Sequence, residues 1–238
     1  MLVFAHRGAS GYAPENTLVA MDRAIALGAP AIEIDVQAVE DQLYVFHDRR
    51  LEKISTGQGV VHLVNKHYIE SLSVNGEPIP TLMQLLARVA GRVVLNIELK
   101  GTGCVDLFLK QYPAIIAQYP ADKIIVSSFN HPYLAKVKQQ YPEIKVAPLL
   151  ASLPLDGARI ASQLDAYSIH LDISFINKNL VEDAHKRGVK VYVYTVDNPD
   201  DVCALAALGV DGIFSNYPDR AQKALENPNT IDYSGWFE

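Results

Sequence analysis

Short runs of apolar and β-branched residues alternate along the chain with longer segments in which apolar residues recur at helical spacing. This alternation is typical of repeated βα units that build a parallel sheet. Eight runs are predicted strands, at residues 2–6, 31–35, 93–99, 124–129, 146–150, 166–171, 189–196 and 211–215. Because a helical segment follows each of them within 238 residues, the pattern favours an α/β fold of the TIM (β/α)8 barrel type. An open doubly wound sheet is the nearest alternative, but no glycine-rich dinucleotide fingerprint follows the first strand.

One region, residues 31–48, departs from the plain repeat. Its sequence, AIEIDVQAVEDQLYVFHD, leaves only a few residues for a turn between two apolar runs, which predicts an antiparallel hairpin rather than a crossover. Residues 49–80 are polar and turn-rich, and we expect them to form a small insertion after the second strand, over the barrel mouth. Residues 1–238 are thus expected to form a single TIM-barrel domain that contains this insertion.

Composition and charge limit the classes of partner. With 21 Lys and Arg against 27 Asp and Glu, the net charge of −6 has the wrong sign for a non-specific nucleic-acid binder or an anionic membrane surface. No apolar run approaches the roughly 20 residues that span a bilayer, and the N-terminus shows no secretory leader pattern. The two cysteines, Cys104 and Cys203, lie in helix-like segments and fit reduced thiols. We therefore expect a cytoplasmic protein without a nucleic-acid partner or a stable membrane association.

Carboxylates interrupt the predicted strands, where burial would make them costly. Glu33 and Asp35 share one face of their strand, opposite Ile32 and Ile34. At a separation of roughly 6.6 Å and an effective dielectric constant near 20, their charges would repel by about 2.5 kcal/mol. A divalent cation between them would reverse the sign of that interaction. Pairing with arginines of an outer helix is the alternative.

Glu98 and Lys100 repeat this i, i+2 arrangement at the end of another predicted strand. The carboxyl ends of the barrel strands form the face on which TIM-barrel active sites are built. Three carboxylates from strands that meet there make a hard-oxygen site, which suits one Mg²⁺ or Ca²⁺ ion better than zinc. The sequence therefore predicts a metal site formed by Glu33, Asp35 and Glu98.

Two histidines accompany these acids. His6 and Arg7 close the first strand at the same face, and the hairpin brings His47 back towards Asp35. A lone histidine at a strand end is more often structural, but two imidazoles beside three acids can take and give protons near neutral pH. Arg7 and Lys100 supply positive charge that can neutralise a phosphoryl group as its own charge grows.

Eight motifs carry, in chain order and over nearly the whole chain, a resemblance to a known family: AHRGASGYAPENTLVAMDRAIALGA, EIDVQ, FHD, IPTLMQLL, NIELKG, VSSFN, VYVYTVD and GVDGIFSNYP. Together they resemble the glycerophosphodiester phosphodiesterase family. The resemblance implies a metal-dependent TIM-barrel hydrolase that cleaves small-molecule glycerophosphodiesters, such as glycerophosphocholine and glycerophosphoethanolamine. The products would be sn-glycerol 3-phosphate and a free alcohol, and the cofactor one divalent cation, Mg²⁺ or Ca²⁺.

Matched residue by residue, the resemblance also implies roles for individual side chains. The family's acid/base pair corresponds to His6 and His47. Its metal carboxylates correspond to Glu33, Asp35 and Glu98, and its phosphate-binding positions to Arg7 and Lys100. Tyr194 falls where many members have tryptophan, so it either packs against the substrate or is a structural residue of the barrel. Glu15 is expected to orient a catalytic group, and Asn16 to cap the following helix. His170 is a weak candidate for substrate contact.

Some positions depart from the family pattern. The hairpin turn reads Val39-Glu40-Asp41-Gln42, residues 52–55 read EKIS, and Asn216 stands where aspartate is common. These positions lie at the predicted rim of the barrel. They therefore bear on the choice of alcohol more than on the chemistry.

Two rival functions are compatible with the same barrel. A lysophospholipase D acting on lysolipids would need an apolar groove, for which the VVHLV segment of the insertion is short. A non-catalytic phosphate-binding barrel is disfavoured because both histidines and all three acids are present. The sequence leaves open which histidine is the acid, whether a cyclic phosphate forms, and whether the chain is a homo-oligomer.

Overall fold

The computed structural model describes all 238 residues. Its eleven strands are β1 (Leu2–Ala5), β2 (Ala31–Val39), β3 (Gln42–Val45), β4 (Ser73–Val74), β5 (Glu77–Pro78), β6 (Val94–Leu99), β7 (Ile124–Ser128), β8 (Lys145–Leu150), β9 (Ser168–Asp172), β10 (Lys190–Tyr194) and β11 (Gly212–Ser215). Eight of them, all except β3, β4 and β5, run parallel and close into a barrel, since β1 pairs with both β11 and β2. The predicted TIM barrel is thereby confirmed.

One outer helix follows each barrel strand, as the alternating pattern predicts. The α-helices are α1 (Leu18–Ala26), α2 (Lys66–Glu70), α3 (Leu82–Val89), α4 (Cys104–Gln118), α5 (His131–Gln140), α6 (Arg159–Gln163), α7 (Lys178–Lys186), α8 (Pro199–Leu208) and α9 (Pro218–Glu226). Only α2 is additional, and it lies between the hairpin and α3. Local sequence explains where α3 begins, because Thr81 and Gln84 form a capping box. None of the helices is both long enough and apolar enough to cross a lipid bilayer.

Side chains of the barrel strands alternate between two layers. Ile32 and Ile34 of β2 belong to the large apolar cluster between the barrel and its helices. Phe4, Tyr192 and Phe214 belong instead to a small cluster inside the barrel, where the Phe4 and Phe214 ring centroids lie 4.7 Å apart. The interior is therefore filled by aromatic rings beneath the polar residues that follow further along the strands.

The hairpin predicted at residues 31–48 is present. Instead of ending at Asp35, β2 continues to Val39, and its far half pairs antiparallel with β3, so that Val36 lies opposite Val45. His47 follows directly after this second arm. A strand of the barrel wall thus extends into the hairpin that carries the second histidine.

Residues 49–80, the predicted insertion, share a small apolar core with the hairpin. They contain two 3₁₀ helices (Leu51–Lys53 and Val61–Leu63), α2, and the two-stranded ladder of β4 and β5. Six buried apolar residues of this segment pack with Val39, Tyr44 and Phe46 of the hairpin, and Phe46, which precedes His47, is fully buried among them. This core therefore anchors the arm of the hairpin that ends in His47.

Replacement of Phe46 by alanine tests that anchor. We expect Phe46→Ala to lower the free energy of unfolding by about 3–5 kcal/mol, because it empties a fully packed site. Phe175→Ala is the matched control, since Phe175 is 38% exposed, and it should cost less than about 1 kcal/mol. Urea denaturation measures both values. Equal losses in the two variants would contradict the assignment of Phe46 to the anchoring core.

Candidate active site

Three carboxylates from neighbouring strands converge inside the barrel. Glu33 and Asp35 lie on β2 and Glu98 lies on β6, and the parallel pairing of these strands sets Asp35 beside Glu98. One oxygen of each carboxylate lies within 4.8 Å of the others. All three residues are buried, with 3%, 1% and 9% of their surface exposed. The structure thus brings together the three acids that the sequence singled out.

Burial and mutual repulsion make this cluster costly in its fully charged form. Burial, together with the charges of Asp35 and Glu98, raises the pKa of Glu33 well above its ordinary value. Burial and the charge of Asp35 raise the pKa of Glu98 to about 7. Burial acts on Asp35 in the same direction, but neighbouring positive charges, Lys100 first, outweigh it and lower the pKa of Asp35. Near neutral pH the cluster therefore favours bound positive charge, either protons or a cation.

The donors around the cluster fit a divalent cation. Carboxylate oxygens are the ligands that Mg²⁺ and Ca²⁺ prefer. Asn96, which pairs with Glu33 across β2 and β6, adds a neutral oxygen to the set. Its Nδ2 donates to Ser127 Oγ over 2.8 Å, while its buried Oδ1 accepts no hydrogen bond. Buried hydrogen-bond acceptors without a partner are rare in proteins. The Asn96 oxygen is therefore a further atom that can coordinate a cation or accept a hydrogen bond from a ligand.

Asn16 supports the carboxylate cluster instead of capping a helix. The sequence analysis assigned it to the N-cap of α1, but Thr17 occupies that position. With a φ of 60°, Asn16 donates from its side chain to Asp35 Oδ2 over 2.9 Å and accepts from the Asp35 backbone N–H over 3.2 Å. The prediction was wrong because both residues are good N-caps, and only the tertiary fold places Asn16 against β2.

Arg7 connects the carboxylates to the loop after β1. Its backbone N–H donates to Glu33 Oε2 over 2.9 Å, and its Nη1 donates to Glu15 over 2.8 Å. Its Nε lies 3.4 Å from Asp35 Oδ2 and is buried without a hydrogen bond. The loop after β1 requires glycine at position 8. The φ of Gly8 is +79°, and a Cβ added there would lie 2.7 Å from the backbone of α1. Glu15 holds the guanidinium group in place at the edge of the cluster.

His6 is oriented by hydrogen bonds to residues far away in the sequence. His6 Nδ1 lies 2.8 Å from Asn216 Oδ1, and Asn216 Nδ2 donates to Asp197 over 2.7 Å. Since the Asn216 amide donates to Asp197, its oxygen accepts from His6 Nδ1, which leaves Nε2 unprotonated in the neutral ring. His6 Nε2 lies 3.9 Å from Glu33 Oε2. Burial and the charge of Arg7 lower the pKa of His6 to about 4, so the ring is neutral at pH 7.

His47 is held mainly through its backbone. Gln37 Nε2 donates to the carbonyl oxygens of residues 46, 47 and 48, over 3.0, 3.2 and 2.8 Å. His47 Nδ1 lies 3.0 Å from Asp48 Oδ1, which also accepts from Lys53 over 2.9 Å. Burial lowers the pKa of His47, and the charge of Asp35 only partly opposes it. As in the first histidine, engagement of Nδ1 leaves Nε2 available for proton transfer.

Lys100 adds a fixed positive charge beside the acids. Its Nζ donates to Glu98 Oε1 over 2.8 Å and lies 3.6 Å from Asp35 Oδ1. Burial alone would lower the pKa of Lys100, but the two carboxylates outweigh it and raise the pKa. The ammonium group is therefore charged at neutral pH.

Both histidines, Arg7, Lys100, Glu33 and Glu98 line one cavity of about 170 Å³ at the mouth of the barrel, which we term the central cavity. Tyr194 lines it with its ring, while its hydroxyl donates to the Leu150 carbonyl over 2.8 Å. Phe129 meets the Tyr194 ring edge-on, with centroids 6.0 Å apart, and is 48% exposed. His170 lies deeper, where it stacks on Tyr192 and has a buried Nδ1 without a partner. The cavity thus combines aromatic walls with unsatisfied polar atoms.

Several residues of this site escaped the sequence analysis. Asn96 was within its reach, because it precedes Glu98 by two positions and therefore shares its face of β6. Gln37 and Asp197 carry no local signal, since their partners lie on other segments of the chain. Phe129 was included in a predicted strand, but β7 ends one residue earlier and leaves this ring at the cavity.

Comparisons with known proteins define the class. The structure is similar to that of a phosphodiesterase from Oleispira antarctica in complex with the product sn-glycerol-3-phosphate, with a TM-score of 0.89, 29% identity, and coverage of 95% of this chain and 97% of that one. The sequence is 36% identical over 236 residues to a glycerophosphodiester phosphodiesterase of Caldanaerobacter subterraneus subsp. tengcongensis, covering 92% and 95% of the two chains. It is 31% identical over 248 residues to one from Bacillus altitudinis, covering 94% and 98%. These relatives place the protein among the phosphoric diester hydrolases.

The family follows from the match to a family model. Residues 6–220 match the glycerophosphoryl diester phosphodiesterase family. The chain therefore belongs to this family, as its motifs indicated. The matched range includes every residue that the sequence analysis named as a site candidate.

Glu98 should make the stability of the metal-free protein depend on pH. Its carboxyl has a pKa of about 7 in the folded chain and about 4.3 when unfolded, so the folded state binds the extra proton between these values. Stability therefore falls as the pH rises through this window. We expect the free energy of unfolding in EDTA to fall between about pH 5 and pH 8, and to fall less steeply in Glu98→Gln.

Chemical denaturation across this pH range, in the presence of EDTA, measures the slope. Glu143→Gln is the control, since Glu143 is exposed and should leave the slope unchanged. If Glu98→Gln had the same slope as the parent protein, the raised pKa of Glu98 would be refuted.

Proposed function

We propose that the protein hydrolyses glycerophosphodiesters, such as glycerophosphocholine and glycerophosphoethanolamine, to sn-glycerol 3-phosphate and a free alcohol. The observation that carries this proposal is the convergence of two imidazoles, an arginine, a lysine and the carboxylates of Glu33 and Glu98 on one cavity, with Asp35 buried in the same carboxylate cluster. The Oleispira antarctica structure, a similar fold with the product sn-glycerol-3-phosphate, supports the same substrate class. We also propose that residues 1–238 form a single catalytic domain, with 49–80 as an insertion over the barrel mouth.

One divalent cation, Mg²⁺ or Ca²⁺, would be held by Glu33, Asp35 and Glu98. When bound, such a cation polarises a phosphoryl oxygen and offsets the charge that develops there. The pairing of β2 with β6 sets the carboxylates side by side, and Asn16 fixes the rotamer of Asp35 through two hydrogen bonds. These contacts fix the positions of the carboxylate oxygens in the absence of an ion.

His6 and His47 would share the proton transfers. Each has its Nδ1 engaged by a neighbouring oxygen, so each presents Nε2 to the cavity. One imidazole takes the proton of the attacking hydroxyl, which belongs to water or to the glycerol moiety. The other protonates the alkoxide of the departing alcohol. Where the glycerol hydroxyl attacks, water opens the resulting cyclic phosphate in a second step, in which the two imidazoles exchange roles.

Arg7 and Lys100 would bind the phosphate. Both lie beside the carboxylates, and the Nε of Arg7 is buried without a hydrogen bond, which leaves a donor for a phosphate oxygen. Glu15 positions Arg7 by accepting from its Nη1. The ring of Tyr194 is left to pack against the substrate, because its hydroxyl is already bonded to the backbone.

The test is release of glycerol 3-phosphate by purified protein from glycerophosphocholine, glycerophosphoethanolamine and glycerophosphoinositol, with and without EDTA. We expect turnover that depends on added Mg²⁺ or Ca²⁺. His6→Ala and His47→Ala should each lower kcat by about 10²- to 10⁴-fold, the usual contribution of an acid or base. Glu33→Gln should raise the metal concentration needed for half-maximal rate.

His67→Ala is the control, because His67 is exposed on α2 and away from the central cavity; it should retain the parent rate. Turnover of lysophosphatidylcholine but of no glycerophosphodiester would favour the lysophospholipase D alternative. Binding of glycerol 3-phosphate without turnover of any diester would favour a phosphate-binding barrel and refute the hydrolase proposal.

A further inference from the structure

A second cavity adjoins the central cavity on the side of the hairpin. It has a volume of about 400 Å³, and it shares His47, Glu98, Lys100 and Phe129 with the central cavity. Its outer wall carries polar side chains that form no hydrogen bond or ion pair within the protein: Arg49, His62, Thr102 and Asn130. The cavity therefore leads from the reacting groups to side chains that are free to bind a ligand, and we call it the side cavity.

Three segments of the rim supply these groups. Arg49 and His62 come from the predicted insertion, whereas Thr102 and Asn130 follow β6 and β7. The backbone at Arg49 is fixed, since its carbonyl accepts from the Val61 N–H over 3.1 Å. The neighbouring acid is already engaged, because Glu52 pairs with Arg50 and accepts from the backbone of residue 59. The guanidinium of Arg49 is thus an uncompensated positive charge.

The charges around the side cavity disfavour a cationic ligand. Its only carboxylate is Glu98, which is paired with Lys100 and assigned to the metal cluster. Quaternary ammonium groups are usually bound by cages of aromatic faces. Here only two phenyl or phenol rings line the cavity, Phe129 and Tyr133, and the Lys100 ammonium already lies over the Phe129 ring, 5.8 Å from its centroid. Choline or ethanolamine would therefore meet two positive charges and no free carboxylate.

Hydroxyl groups fit the same wall well. A guanidinium, a threonine hydroxyl, an amide and an imidazole together donate and accept hydrogen bonds, and none of the four is engaged within the protein. Hydrogen bonds to a charged donor such as Arg49 are stronger than those between neutral groups. A polyol can use several of these partners at once.

We propose that the side cavity binds the alcohol portion of the glycerophosphodiester, and that Arg49 selects hydroxyl-rich, non-cationic alcohols such as inositol over choline and ethanolamine. This inference rests on the proposed hydrolase function and narrows its substrate class. It assigns specificity to a residue of the insertion rather than to the barrel strands that carry the chemistry.

The experiment compares kcat/KM for glycerophosphoinositol and glycerophosphocholine, which share the glycerol and phosphate portions and differ only in the alcohol. We expect the parent protein to prefer the inositol diester by about tenfold, the value of one charge-assisted hydrogen bond. Arg49→Gln should remove most of this preference, and Arg49→Glu should reverse it. Lys66→Gln, also in the insertion and outside the cavity lining, should keep the parent ratio.

The remaining outcomes separate this inference from the proposed function. Turnover of both diesters with no preference, or with a preference that Arg49→Gln leaves unchanged, would overturn the inference while the hydrolase function stands. An equal loss on both substrates in Arg49→Gln would also overturn it, because Arg49 would then act on the shared portion. Absence of turnover with either diester would refute the hydrolase function and this inference together.

Discussion

Repulsion among three buried carboxylates is the constraint around which this site is arranged. Glu33, Asp35 and Glu98 are fixed on two neighbouring strands, so they cannot move apart to relieve it. Arg7 and Lys100 lie at the edges of the cluster and lower the pKa of Asp35, yet the pKa of both glutamates remains raised. A divalent cation bound among the oxygens would remove this cost, because each carboxylate would be attracted to the cation's double charge.

The groups proposed to react and the groups proposed to select the alcohol come largely from different parts of the fold. The three carboxylates belong to the barrel wall, where strand register sets their separation. His6 follows barrel strand β1, and His47 follows β3, which pairs with the extension of β2, so both are held by that rigid frame. The outer wall of the side cavity, by contrast, is formed by loops and by the predicted insertion. This arrangement allows the alcohol preference to change while the reacting groups stay in place.

Much of this fold follows from residue patterns. Alternation of apolar runs with helical periodicity predicts the barrel, and the period of two along a strand places Glu33 and Asp35 on one face. The same rule, applied to β6, would have found Asn96. Local rules failed for Asn16, whose role depends on a contact with β2 that only the folded chain makes. The pair formed by His6 with Asn216 likewise joins segments that no local pattern connects.

The most direct test of a cation at the three carboxylates is calorimetric titration of chelator-treated protein with Ca²⁺ and with Mg²⁺, at pH 8, where Glu98 is largely ionised. We expect one ion to bind per chain, with proton release that grows as the pH is lowered towards 7. Glu33→Gln should weaken this binding strongly, whereas Glu143→Gln should not change it. Absence of binding by either ion, or unchanged binding in Glu33→Gln, would contradict a metal centre at this cluster.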